Sequence, residues 1–220
     1  MCTDTGTGPA VVLLHAGGER RGVWSPVAAR LASAGYRSVA VDQRGHGDTG
    51  GEGDRLSEFV DDACAVLDEL GSQVVLVGAS LGGFVALLAS KRGAAERVAG
   101  VVLVDVMPEL DPERARAYLR SLESDRRSWN WALIEDIFTQ AGALRDAVVR
   151  STSPLALVSG EHGGVSEADR ARLRALAPRL VERQVAGAGH LVARDRPDEL
   201  ADVLLDLLNF VPSLAWRTGS

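Results

Sequence analysis

The stretch VVLVGASLGGFVALLAS, residues 74–90, decides how the rest of the chain is read. Val74, Val75, Leu76 and Val77 run without alternation, as in a strand buried on both faces. Gly78-Ala79-Ser80-Leu81-Gly82 follows, and then an apolar run suited to a buried helix. A Gly-x-Ser-x-Gly pentapeptide is weak evidence alone, but between a buried strand and a helix it sets the serine on a sharp, exposed turn. The glycines leave room for the strained backbone that such a turn imposes. The helix behind contributes free N–H groups and positive potential. Ser80 is therefore a candidate nucleophile; the alternative is a small residue in a structural turn.

Further short β-rich runs lie on either side, at 10–14, 37–41, 98–104, 155–158 and 181–185. Most are continuously apolar; the polar VERQV run at 181–185 fits less well, which places it nearer a sheet edge. Helical patterns separate them. Ser25-Pro26 suits a helix start and Gly35 a stop. Ser57 suits the cap of a helix whose face carries Phe59, Ala63, Val66, Leu67 and Leu70, with Gly71 as its end. Residues 166–169, SEAD, read as a capping box, and 198–211 as an amphipathic helix. This alternation predicts an α/β fold: one domain over 1–220, with a doubly wound, mostly parallel sheet of about six strands.

The rhythm breaks between Val104 and Leu155, where about fifty residues carry no strand. Helices are expected from Asp111-Pro112, over 129–140 and over 143–150. A helical insertion at the C-terminal end of a strand sits where α/β proteins bind ligands, so 106–153 reads as a small lid. Tyr118, Trp129, Trp131 and Phe138 either line a pocket beneath it or pack it onto the body. Charged helix residues such as Glu113, Arg114, Arg116 and the run Asp125-Arg126-Arg127 read as solvated faces.

Composition narrows the classes. With 24 Lys and Arg against 30 Asp and Glu, the net charge is −6 and no basic cluster stands out, which argues against nucleic acid or an anionic membrane as partner. Cys2 and Cys64 give neither a disulfide framework nor metal-ligand spacing, and Cys64 falls on the apolar side of its helix. No basic-then-apolar leader and no membrane-length run is visible. The expectation is a cytoplasmic protein for which no metal or organic cofactor is implied, with a small-molecule partner and room for homo-oligomers.

A serine nucleophile needs a base. Of His15, His46, His162 and His190, the last lies in Gly187-Ala188-Gly189-His190-Leu191, after the final strand and before the terminal helix. A glycine-flanked loop at a strand's C-terminal end can carry it to Ser80. His15 ends the first apolar strand and shapes the loop beside it; His46 sits in a turn. Acyl chemistry also needs oxyanion donors. Leu81 N–H supplies one, and the loop His15-Ala16-Gly17-Gly18 another, with Gly17 chosen and Gly18 next.

These motifs, VVLLHAGG before Trp24, VAVDQRGHGDT, VGASLGG, LVDVMP and AGAGHLVARDRPDEL, occur in one order along nearly the whole chain. In that order they resemble the α/β-hydrolase superfamily, the group of small esterases, lactonases, cofactor-free haloperoxidases and haloalkane dehalogenases. The resemblance implies Ser80 as nucleophile, His190 as base, and Leu81 with Gly17 as oxyanion hole. Serine where dehalogenases carry aspartate argues against dehalogenation. Asp42 and Arg44 read as holding their own loop.

Three departures stand out. Ala16 replaces the glycine usual after the oxyanion-loop histidine. The family's first two strands are expected to be missing, through either a six-stranded sheet or a truncated start. The position where the family places its triad acid, beyond the strand at 155–158, falls at Gly163. Two carboxylates can substitute: Asp105, at the end of the preceding strand, where some relatives carry the acid, and Glu161. A Ser–His dyad or an inactive site is the remaining case. The leading expectation is a serine hydrolase of small, fairly apolar esters or lactones. A non-hydrolytic cyclase, lyase or isomerase, or a catalytically idle binding protein, stand beside it.

Overall fold

The continuous apolar runs become the centre of a seven-stranded sheet because both of their faces are covered. The computed structural model of the chain describes residues 1–92, 95–121 and 129–210. In chain order its elements are β1 (Cys2–Thr5), β2 (Ala10–Leu14), α1 (Ser25–Ser33), β3 (Arg37–Val41), α2 (Leu56–Leu70), β4 (Val74–Ala79), α3 (Leu81–Ala89) and β5 (Val98–Val104). There follow α4 (Pro112–Ser121), α5 (Trp131–Thr139), α6 (Ala141–Val149), β6 (Leu155–Gly160), α7 (Glu167–Leu176), β7 (Val181–Val185), α8 (Val192–Asp195) and α9 (Pro197–Phe210). The strand order is β1-β3-β2-β4-β5-β6-β7. Every pair is parallel except β1 with β3.

β1 is the strand beyond the six read from the sequence. Its residues, CTDT, are polar and mostly exposed, so no apolar run announces it. It is held by its ladder to β3 and by Arg37, which pairs with Asp4 at 2.6 Å. β7 closes the other edge, as its polar run suggested.

Side-chain alternation divides the core into two layers. Val12, Leu14, Leu76, Leu103 and Leu157 pack with Leu67 of α2 and Phe84 of α3 on one face. Val11, Leu13, Val75, Val77, Val102, Val104 and Val158 pack with Trp24, Leu31 of α1 and Leu204 of α9 on the other. Each such residue is essentially solvent-free, and truncating a buried leucine to alanine typically costs about 2–5 kcal/mol. Cys64 is half-buried against the first layer; Cys2 is exposed.

Helix ends refine the sequence reading. α1 begins at Ser25 itself, with Trp24 in the capping position. α2 begins at Leu56 rather than being capped by Ser57. Glu58 instead accepts the N–H groups of Asp54 and Arg55, and Asp136 of α5 accepts that of Leu56 at 2.7 Å. Ser166 and Asp169 form the expected capping box on α7.

Three helices, α4 to α6, lie between β5 and β6. Their arginines do more than meet solvent. Arg116 makes a two-pronged contact with Glu135 at 2.6–2.8 Å and lies over the Phe138 ring. Arg120 lies over Trp131. Arg114 reaches off the insertion to the Gly164 carbonyl and to buried Asp169 (2.8 Å). The Asp125-Arg126-Arg127 run lies outside the described residues. Among the described residues no helix is long and apolar enough to cross a membrane.

The chain runs from β2 to β3 on one side and returns to β4 on the other. The order therefore reverses between β2 and β4, and the crevice beyond their C-terminal ends is where an open α/β sheet binds ligands. The loop after β2 carries Gly17, and the turn after β4 carries Ser80.

Candidate active site

Ser80 occupies a backbone conformation that serine avoids, with φ 47° and ψ −113°. It stands in the capping position of α3, yet its hydroxyl does not cap that helix. Serine in that position ordinarily bonds the second or third helical N–H, so here the turn holds the hydroxyl away from its usual use. The turn depends on close backbone approach. A Cβ on Gly78 would lie 2.6 Å from Gly83 N, and one on Gly82 would lie 2.6 Å from the Leu14 carbonyl carbon. Ser80 N–H donates to Val104 O at 3.2 Å, tying the turn to the end of β5.

Among the described non-glycine residues only one other has positive φ: Asp105, at 47°. Such strain costs about 1–3 kcal/mol per residue and persists only where the surroundings impose it. Asp105 N–H donates to Val158 O at 2.8 Å, and the side chain is buried. Three donors converge on its carboxylate: Gly160 N–H on Oδ1 at 3.1 Å, and Gly164 N–H at 2.7 Å and His190 Nδ1 at 2.8 Å on Oδ2. A carboxylate can only accept, so Nδ1 is the donor, and in the neutral form of the His190 ring the lone pair falls on Nε2. Among the described residues Ser80 Oγ makes no hydrogen bond to His190; nucleophile–base contacts are often long in unliganded sites.

Glu161, the other carboxylate read from the sequence, lies apart from His190. It accepts Gly187 N–H at 2.8 Å and so holds the turn that starts the histidine loop. Backbone bonds from Glu161 N–H to Val185 O (3.0 Å) and His162 N–H to Ala188 O (2.8 Å) join the two loops. Gly163 has a steric reason. A Cβ there would sit 2.6 Å from both Cγ and Oδ2 of Asp105, so the space beside His190 holds one carboxylate and Asp105 fills it.

The loop after β2 carries Gly17 to Leu81: a Cβ on Gly17 would lie 4.0 Å from Leu81 Cβ and from Trp129 Cζ3. Gly18 N–H is turned elsewhere, donating to His46 Nε2 at 3.0 Å. His15 is buried between Gln43 N–H, which donates to Nε2 (3.1 Å), and Ala16 O, which accepts from Nδ1 (2.8 Å). Burial lowers its pKa from the ordinary 6.5 to about 4, so the ring is neutral at physiological pH. Asp42 and Arg44 hold loops as read. Burial alone would raise the Asp42 pKa, but N–H groups of Arg21 and Asp48 and the Arg21 guanidinium together bring it below the usual carboxylate range. Arg44 pairs with Asp62 at 2.7 Å.

Two of the four insertion aromatics stand at the site. Tyr118 meets the His190 ring edge-on, with centroids 5.7 Å apart, and Trp129 faces Gly17. Trp131 and Phe138 stack instead under arginines of their own insertion. The sequence reading missed Glu19. Burial raises the pKa of its carboxyl, against the Ala16 backbone and the charges of Arg194 and His190, which lower it. Its place one residue beyond the double glycine of the oxyanion loop was the available signal. Among the described residues no cluster of three or more His, Cys, Asp or Glu is arranged to hold a metal ion.

The model of the alpha/beta hydrolase family matches residues 11–203, and the chain belongs to that family. It is 42% identical to epoxide hydrolase 3 of Siraitia grosvenorii over 88 residues, covering 38% of this chain and 28% of that protein. An esterase of Mycobacterium tuberculosis is 29% identical, over 93% of this chain and 84% of its own. The chain thus spans under a third of the first relative and most of the second. The solved structure of a thermophilic esterase from Thermogutta terrifontis superposes with a TM-score of 0.73 at 22% identity, covering 94% of this chain and 91% of that one. That likeness is one of fold.

Proposed function

We propose that the chain is a serine hydrolase of small, fairly apolar carboxylic esters or lactones, acting through an acyl-enzyme. The observation that carries this reading is the buried Asp105 carboxylate held 2.8 Å from His190 Nδ1, next to a strained serine whose hydroxyl does not cap its helix. Asp105 fixes the tautomer and favours the imidazolium that forms during the reaction. His190 Nε2 takes the proton as Ser80 Oγ attacks the carbonyl carbon. The Leu81 and Gly17 N–H groups hold the oxyanion. Collapse expels the alkoxide, which takes the proton from His190. Water, deprotonated by the same nitrogen, then releases the acid and restores Ser80. No step calls on a metal or organic cofactor. The insertion of α4 to α6 acts as a lid, with Tyr118 and Trp129 offering apolar walls to the substrate.

The test is labelling by a fluorophosphonate, with the adduct mapped by mass spectrometry. Fast modification at Ser80, abolished in Ser80→Ala and slowed at least about 100-fold in His190→Ala, is the expected result. A folded wild-type protein that takes no label would overturn the hydrolase reading.

A further inference from the structure

His46 is absorbed neither by the proposed triad nor by the core. It lies in the loop after β3, and both of its ring nitrogens are engaged. Nδ1 bonds the Arg44 carbonyl at 2.8 Å, and Nε2 accepts Gly18 N–H at 3.0 Å. An amide can only donate and a carbonyl only accept, so these partners assign the donor role to Nδ1 and the acceptor role to Nε2. The His15 ring lies 5.0 Å away, centroid to centroid. His15 is fixed in the same tautomer by Gln43 N–H and Ala16 O, and Gln43 Nε2 donates back to the His15 carbonyl at 2.6 Å. The His15–Gly18 segment is thus held at one end by His15 and at the other by His46, both working through the loop after β3.

The two adjacent glycine amides then have separate tasks. Gly18, at φ +76°, points its N–H to His46. Gly17, beside Leu81, is left to serve the reacting carbonyl. We infer that His46 is a positioning residue: by taking Gly18 N–H it fixes the Gly17–Gly18 peptide, and with the preceding Ala16–Gly17 peptide held by His15 at the Ala16 carbonyl this keeps Gly17 N–H aimed at the oxyanion. This inference rests on the serine-hydrolase reading. It predicts an effect confined to the transition state, because the negative oxygen exists only there.

The experiment compares wild type, His46→Leu and His46→Gln on p-nitrophenyl butyrate and against an alkyl trifluoromethyl ketone, which forms an oxyanion on Ser80. Removing an oxyanion donor outright costs about 100- to 1000-fold, so misaiming one is expected to cost ~10-fold. His46→Leu should lower kcat by about that factor, leave KM within roughly 2-fold, and weaken the ketone in proportion to the loss in kcat/KM. His46→Gln, whose amide oxygen can accept Gly18 N–H, should recover most of the loss. The bond is solvent-exposed, so the unfolding temperature of His46→Leu should stay within a few degrees of wild type. Unchanged kcat and ketone affinity in His46→Leu would overturn the inference. So would a loss that follows unfolding and is not repaired by glutamine. A wild-type protein that neither turns over the ester nor binds the ketone would instead overturn the hydrolase reading, and this inference with it.

Discussion

Replacing Gly163 with alanine should destabilise the protein only while Asp105 is present. The new Cβ would sit 2.6 Å from Cγ and Oδ2 of Asp105, far inside contact distance, and neither side can easily yield. The carboxylate is fixed by three donors at 2.7–3.1 Å. Gly163 is fixed by its own N–H, which donates to Gly160 O at 3.1 Å. Overpacking of this kind costs about 1–3 kcal/mol, which lowers the melting temperature of a domain this size by roughly 2–4 °C per kcal/mol. In an Asp105→Ala background the obstacle is gone, and Gly163→Ala should cost less than about 0.5 kcal/mol. Urea denaturation of the four proteins in the cycle reads the coupling directly, whatever Asp105→Ala costs alone. Equal penalties in both backgrounds, or none in either, would refute the claim that one space holds one carboxylate.

Other outcomes follow from the same geometry. Asp105→Asn should lower kcat by about 1000- to 10000-fold through loss of the required tautomer, whereas Glu161→Gln, by steady-state assay, should change it less than about 3-fold because its bond is to Gly187 N–H. Gly78→Ala should destabilise by about 1–3 kcal/mol or more in denaturant titrations, since its Cβ meets the backbone of α3. Gly142→Ala, in α6 with open space around it, should stabilise by about 0.5–1 kcal/mol in the same titrations. The depressed His15 pKa makes the protein acid-labile. The unfolded chain binds a proton near pH 6.5 that the folded chain refuses until about pH 4. This contribution is therefore complete above pH 6.5 and lost as pH falls, by about 3 kcal/mol at pH 4. Urea titrations from pH 7 to 4 should show a shallower fall in His15→Gln than in wild type.

The strands that carry the site were readable because burial on both faces leaves an unbroken apolar record, as in residues 74–77 and 98–104. The turn at Ser80 was readable because close backbone approach demands glycine at 78 and 82. β1 was not, since four polar residues become a strand only through the ladder they make with β3. The position of the carboxylate was also undecided. Asp105 and Glu161 are both near strand ends, and only the juxtaposition of β5 and β6 brings one of them to His190. Glu19, and the role proposed for His46, were not readable because the groups they meet, Arg194 and His190 for one and Gly18 for the other, lie in loops that the sequence places far apart.

The ladder between β4, β5 and β6 does not stop where the strands do. Ser80 N–H continues it to Val104, Asp105 N–H to Val158, and Gly160 N–H to the Asp105 side chain. Ser80 and Asp105 are thereby expected to share the slow hydrogen exchange of the central strands and to belong to the last cooperative unit to open. On heating, the seam should show no separate melting of its own, and its loss should coincide with global unfolding.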